Sequence, residues 1–403
     1  MNFDFDSITL RQNSGSYKWD ISDDAELLPM WVADMDFKTA PAIIEALEQR
    51  IRHGIFGYTK VPETYFSATQ HWFTTRHQFE IAREWMLYTS GVVPALSAIL
   101  RAVTTPGDKV LVQTPVYNCF FSSIRNMGCT ILENPLTQID GRFEMDFADL
   151  EQKAALPDAK VLLLCNPHNP VGRAWTATEL HRLGEICQRH KVLVISDEIH
   201  CDLVFPDQKH QPYAALGADF LAQSVTCLSS SKTFNIAGLQ IANIVVADPA
   251  LRDHVDKALN IHEVCDVNPF GITATIAAYT KGAEWLDALR HYLYENYQLV
   301  ASFLSKELPI LKLTKQEATY LVWIDCRSLG ISSAVISQQL SEKVHLLVNE
   351  GTLYGMAGEG FIRLNIACSR QVLAEGLVRL KSGLDAMSSS GGIACTRNKT
   401  CCP

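Results

Sequence analysis

The sequence predicts an α/β fold in which a large domain on a mostly parallel β-sheet is joined to a smaller α+β domain. Three observations carry this prediction. Through the middle of the chain a short apolar run, a polar turn and a helix-periodic stretch recur, which is the grammar of β-α-β units. The apolar runs are continuous rather than alternating, which marks strands covered on both faces. From about residue 283 the order changes to a long helical stretch, then strands, then a last helix. At 403 residues the chain is long enough for two domains with sizeable cores.

The elements follow in order. "PMWVADMDF" precedes "PAIIEALEQRIRH", a helix in which Pro41 pre-sets the first turn. Residues 1–45 are assigned to an N-terminal segment that joins the small domain, and residues 46–282 to the large one. Strands are expected at "KVLVQT" from Lys109, "KVLLLC" from Lys160, "KVLVIS" from Lys191, "SVTCLS" from Ser224 and "IANIVVA" from Ile241. Between the second and third, Leu180, Leu183, Ile186 and Cys187 recur at helical spacing, with Thr176 as N-cap and Glu179 three residues later. Residues 283–388 form the small domain, with strands "TYLVWID" and "FIRLNIA" and a helix over "RQVLAEGLVRLKSGL". The Ser/Gly-rich end, residues 389–403, reads as a flexible tail.

Composition narrows the function. A net charge of −9 offers no basic stripe for nucleic acid and no polybasic run for an anionic membrane, so small polar partners are expected. The acidic start "MNFDFDSITL" is unlike a signal peptide, and no stretch has the length of a membrane span. Nine of the twelve cysteines are scattered through apolar segments, which fits buried thiols in a reducing cytoplasm. The other three, Cys395, Cys401 and Cys402, have no histidine nearby to complete a four-ligand zinc site, and no metal is expected.

In an open parallel sheet, ligands sit beyond the carboxyl ends of the strands, and the unusual residues collect there. "KVLVQ" leads to Tyr117, "KVLLL" to Asn169, "KVLVI" to Asp197 and His200, and "SVTCL" to Lys232. Taken singly, Tyr117 could be a packed turn residue, Asn169 a turn former, Asp197 part of a helix start and Lys232 a solvated charge. Together they match one chemistry. A lysine amine forms a Schiff base with an aldehyde, and a carboxylate beneath a pyridine nitrogen keeps that ring protonated and electron-accepting. The pattern asks for pyridoxal 5′-phosphate. Its phosphate needs donors, which the helix start at Gly91 to Pro94 and the hydroxyls of Ser229 and Ser231 can give. Tyr117 can stack on the ring, and Asn169 and His200 are candidates to face its phenolic oxygen. No G-x-G-x-x-G follows any of these strands, which disfavours a dinucleotide.

Up to about residue 388 the chain resembles the fold-type I pyridoxal-phosphate enzymes, the aspartate aminotransferase superfamily, in the order Asn169, Asp197, Lys232, Arg363. Within it, "MWVADMDF", "GIFGYT", "TPVYNCF", "NPHNPVGR", "SDEIHCDL" and "SKTFNIAGLQ" resemble the MalY/PatB-type carbon–sulfur β-lyases, often called cystathionine β-lyases. The resemblance implies an aspartate aminotransferase-like fold in which Lys232 forms the internal aldimine, Asp197 pairs with the pyridinium nitrogen and Tyr117 stacks on the ring. It also implies that Asn169 bonds the phenolic oxygen, and that Ser229 and the amides of Val92 and Val93 hold the phosphate. Arg363 would clamp the substrate α-carboxylate; its alternative, an exposed strand charge, is weakened because Ile362, Leu364 and Ile366 share the opposite face. Tyr58 would reach the phosphate of the neighbouring subunit in a homodimer, although taken alone it reads as a loop aromatic packed in its own chain. Aminotransferases commonly have a tyrosine where this chain has His200 and an arginine where it has Gln240, and both departures agree with the lyase subgroup.

The expected reaction is therefore α,β-elimination of L-cystathionine and related L-cysteine S-conjugates to pyruvate, ammonia and a thiol, with Lys232 as base. The rivals are an aminotransferase, which shares the early steps, and a regulatory protein that keeps the cofactor.

Overall fold

The structure, a computed structural model, describes residues 3–262 and 267–389. Cys265 and, beyond residue 389, the expected tail with its three cysteines lie outside the described residues.

The five expected central strands form in one seven-stranded sheet, in the order Met86–Thr89, Ala242–Val245, Ser224–Leu228, Leu193–Asp197, Ala159–Cys165, Lys109–Val112, Thr130–Glu133. From Ser224–Leu228 to Thr130–Glu133 every neighbouring pair is parallel. Ala242–Val245 instead runs antiparallel to both neighbours. A parallel return needs a crossover, usually a helix. The connection from Leu228 to Ala242 holds only a short 3-10 turn at Ala237–Leu239, so the chain comes straight back. Met86–Thr89 and Thr130–Glu133 are edge strands absent from the sequence-based reading; each is four residues long and only partly buried, so neither shows the continuous apolar run that marks the centre.

Both faces of the centre are covered, as the apolar runs predict. Val110, Val112, Val161, Leu163, Ile195 and Val225 enter one core cluster, while Leu111, Leu162, Leu164 and Val194 enter the other. Alternate side chains of each strand thus point to opposite helical layers. Burying each such side chain contributes roughly 1.5–3 kcal/mol. The helix Ala177–Arg189 begins as expected: Thr176 Oγ1 accepts from Glu179 N at 3.2 Å and the Glu179 carboxylate accepts from Thr176 N at 2.8 Å, a reciprocal capping box. Pro41–His53 is helical from its proline.

A second, antiparallel sheet contains Lys312–Leu313, Leu321–Asp325, Phe361–Asn365 and Asn349–Glu350 in that order. The helices Ala283–Glu307 and Arg370–Ser389 pack on each other beside it. Near the N-terminus, Leu28–Pro29 pairs in parallel with Leu346–Leu347. Residues 31–36 follow, their backbone held by a residue of the second sheet and one of the loop after Ser224–Leu228: Asn365 Nδ2 donates to Val32 O and Asp34 O, and Asn235 Nδ2 donates to Met35 O. Among the described residues no helix is long and apolar enough to cross a membrane.

Candidate active site

A cavity of about 430 Å³ opens where the parallel strands end, beside the 31–36 segment. Its wall includes Val92, Val93, Tyr117, Asn169, Asp197, His200, Lys232 and Arg363. Asp197 is the last residue of its strand, and its Oδ1 accepts from Ile199 N at 3.1 Å. Asn169 and Lys232 stand in the loops that follow the two flanking strands. Val92 and Val93 open the helix Val92–Val103, whose Ala95 N is bonded to Gly91 O; the two amides before it are free of the helical ladder and carry its positive dipole end.

Burial sets the electrostatics. Desolvation pushes the Asp197 carboxyl up to about 7, with the Glu198 charge adding and Lys232 opposing. Desolvation lowers the Lys232 amine from its ordinary value, with Arg363 adding to the effect. Its Nζ donates to Ala33 O at 2.6 Å. His200 is pushed down to about 3, again by burial first and then by the Lys232 and Arg363 charges, so its imidazole is neutral at physiological pH. Its Nδ1 is buried without a hydrogen-bond partner. Tyr117 is held far above the usual phenol range by burial, with Cys119 and Asp197 contributing, so its hydroxyl keeps its proton.

Arg363 is the buried cation of the site. It lies opposite Trp323 and Asn349 in its sheet and is only 3% exposed, which removes the surface-charge alternative. Its guanidinium donates to Asn169 Oδ1 at 3.1 Å and to Trp31 O at 2.7 Å and lies 4.8 Å from the Tyr354 ring centroid. Its Nε is buried and unpartnered, and no carboxylate pairs with it among the described residues. Such a guanidinium is suited to a carboxylate arriving from outside. With Asn169 Oδ1 engaged, the Nδ2 of that amide is the donor left to face a ligand.

Not every expected residue lines the cavity. Ser229 and Ser231 are buried beside it, where Ser229 Oγ approaches Ile241 O at 2.6 Å and Ser231 Oγ at 2.9 Å, so their hydroxyls serve each other and the backbone. Tyr58 stands apart on the loop after Pro41–His53 and is 96% exposed, which is at odds with packing inside its own chain. Sequence reasoning also passed over several groups on the wall: the backbone carbonyls of Trp31 and Ala33, and the side chains of Cys119, Asn349 and Tyr354. The segment "PMWVADMDF" was the only signal for the carbonyls, and it marked a position rather than a role.

The model of the family "Aminotransferase class I and II" matches residues 26–380. Cystathionine beta-lyase PatB of Bacillus subtilis is 44% identical over 384 residues, covering 94% of this chain and 99% of that protein. Protein MalY of Escherichia coli is 37% identical over 392 residues, covering 96% and 100%. Among solved structures, cystalysin from Treponema denticola, which contains a pyridoxal 5′-phosphate cofactor, superposes with a TM-score of 0.93 at 35% identity over 96% of this chain and 100% of that one.

Proposed function

The chain belongs to the aminotransferase class I and II family, and from that premise we propose that it is a pyridoxal-phosphate-dependent carbon–sulfur β-lyase acting on L-cystathionine and related L-cysteine S-conjugates. The observation that carries this reading is the meeting on one cavity of a half-buried, desolvated amine, a buried carboxylate and a buried guanidinium that has no carboxylate partner among the described residues. The residues present fit the cofactor: His200 Nδ1 is an orphaned buried atom, Asp197 needs a cationic partner to ionise fully, and the start of Val92–Val103 offers free amides.

When bound, the cofactor supplies an aldehyde carbon that links to amino groups and a pyridine ring that withdraws electrons. The chain's own residues do the rest. Asp197 would keep a proton at the ring nitrogen, where its carboxylate would gain the cation that burial denies it. Tyr117 would cover one face of the ring, and neutral His200 and the Asn169 Nδ2, which line the same cavity, would serve its phenolic oxygen. The Val92 and Val93 amides would hold the phosphate, while Ser229 and Ser231 brace the loop that carries Lys232 and could turn a hydroxyl to it. Arg363 orients the substrate carboxylate. Lys232 Nζ, whose burial favours the neutral amine, takes the proton from the substrate α-carbon, and the thiolate leaves from the β-carbon.

The test is direct. Purified protein incubated with L-cystathionine and no 2-oxo acid is expected to release pyruvate, ammonia and homocysteine in equal amounts, since elimination consumes no amino acceptor. Turnover that appears only when a 2-oxo acid is added would identify an aminotransferase instead.

The lyase is further read as a homodimer with shared sites. Ile51, Ile55, Phe56 and Tyr58 form an exposed apolar run, which is the composition of a buried interface rather than of a free surface. In that arrangement Tyr58 reaches the cofactor phosphate of the partner. Mixing Lys232→Ala with Tyr58→Leu subunits, each nearly inactive alone, is expected to restore about a quarter of wild-type activity, because half the dimers are mixed and each has one intact site. No recovery from dimers shown to exchange would assign Tyr58 to its own chain. The same reading divides the chain into 1–45 and 283–388 around the small sheet and 46–282 around the large one, which the Leu28–Pro29 pairing with Leu346–Leu347 supports.

A further inference from the structure

A second cavity, of about 710 Å³, shares no lining residue with the first. His77, Cys201, Asp202 and His210 are on its wall. His77 closes the helix Glu63–His77, whereas Cys201 and Asp202 follow the strand of Asp197. The nitrogen, sulfur and oxygen donors of His77, Cys201 and Asp202 all lie within 4.8 Å of one another. A tetrahedral zinc ion with bonds of about 2.0–2.3 Å holds its donors roughly 3.3–3.8 Å apart, so small side-chain movements close the set.

The surroundings have the form of a metal site's outer shell. Trp72 Nε1 donates to Asp202 Oδ1 at 3.0 Å and Thr233 Oγ1 to Asp202 Oδ2 at 2.9 Å, which fixes the carboxylate plane. His210 stands edge-to-face on His77 with ring centroids 5.4 Å apart. Its Nε2 is held by Glu198 at 2.8 Å, and its Nδ1 is buried with no partner. A histidine anchored by a carboxylate through one nitrogen, with the other free, is the usual arrangement of a metal ligand. Cys201 is 1% exposed and sits beside Asp202, with the backbone N–H groups of Asp202 and of Cys201 itself near its sulfur.

We propose that His77, Cys201 and Asp202 form a binding site for a divalent transition metal of the zinc class, with His210 packed beside them and the second cavity as the entry path. Binding forms a metal–sulfur bond at Cys201 and releases the thiol proton to solvent through the cavity. His77 shifts its ring proton to Nδ1 and offers the Nε2 lone pair, which now faces Asp202 at 2.7 Å. The site touches the active centre only indirectly, because Asp202 also holds Thr233, the residue after Lys232.

The experiment uses the full-length holoenzyme with Cys395, Cys401 and Cys402 replaced by serine, so that the tail cannot compete. After chelation and reloading with Co²⁺ or Zn²⁺, retained metal is measured by elemental analysis following gel filtration. About one ion per chain is expected, with intense four-coordinate Co²⁺ bands and a thiolate-to-cobalt charge-transfer band. Cys201→Ser should abolish the charge-transfer band, and His77→Gln should lower metal retention at least tenfold. Circular dichroism checks that both variants fold; should either fail, Cys201→Ala takes its place. No retained metal, retention without a thiolate band, or equal retention and spectra in folded Cys201 and His77 variants would overturn the site.

Discussion

Lys232→Ala is expected to lower pyruvate release from L-cystathionine by at least about 10³-fold while the protein stays folded and still takes up pyridoxal phosphate. Loss of a positioned general base alone costs about 10²–10⁴ in rate, and the same substitution removes the covalent tether. The fold should tolerate it. The amine makes one hydrogen bond among the described residues, to Ala33 O, worth about 1 kcal/mol net, and removing a desolvated amine offsets part of that loss. Borohydride separates tethering from simple binding. It should fix the cofactor irreversibly to a wild-type peptide containing Lys232, whereas cofactor bound to Lys232→Ala should leave on denaturation. A variant that keeps a tenth of wild-type turnover, or that is labelled by borohydride to the same extent, would remove Lys232 from the centre of the mechanism.

Lys232 and Asp197 were legible in the sequence for the same reason that the central strands were. A run such as "KVLVIS" can sit only in a sheet covered on both faces, so its end, and the polar residue placed there, are fixed by the hydrophobic pattern. Arg363 was legible by period two: its neighbours Ile362 and Leu364 are core residues, so it had to face the other way. What stayed hidden has no side-chain signature. The carbonyls of Trp31 and Ala33 meet Arg363 and Lys232 only because the 31–36 segment is held by Asn365 and Asn235, and a backbone carbonyl is written identically at every residue. The reversal of Ala242–Val245 was hidden because direction depends on the connection, while the apolar run reads alike either way. His77 and Asp202 are likewise 125 residues apart, and no local spacing announces their contact.

Asp197→Asn is expected to act in opposite directions on the two forms of the protein. Without cofactor, burial pushes the Asp197 carboxyl up to about 7, against about 3.9 in an unfolded chain. The folded state therefore binds this proton more tightly than the unfolded state does. The stability linked to it is fully present below about pH 4 and is lost as pH rises toward 7, by a total on the order of 4 kcal/mol. Asparagine has no such proton. The Asp197→Asn apoprotein should then match wild type in denaturant midpoint near pH 4, exceed it modestly at pH 5, and exceed it clearly at pH 8. In the holoenzyme the sign reverses, because the carboxylate at the ring nitrogen is the group that keeps the ring protonated. Removing such a fixed charge costs about 10²–10³ in turnover. A buried group that weakens the empty protein and is required by the loaded one is present for its chemistry, not for the fold. Urea titrations of both apoproteins at pH 5 and pH 8, alongside pyruvate assays, decide the matter. An Asn variant less stable than wild type at pH 8, or one with unimpaired turnover, would show that Asp197 is a structural residue.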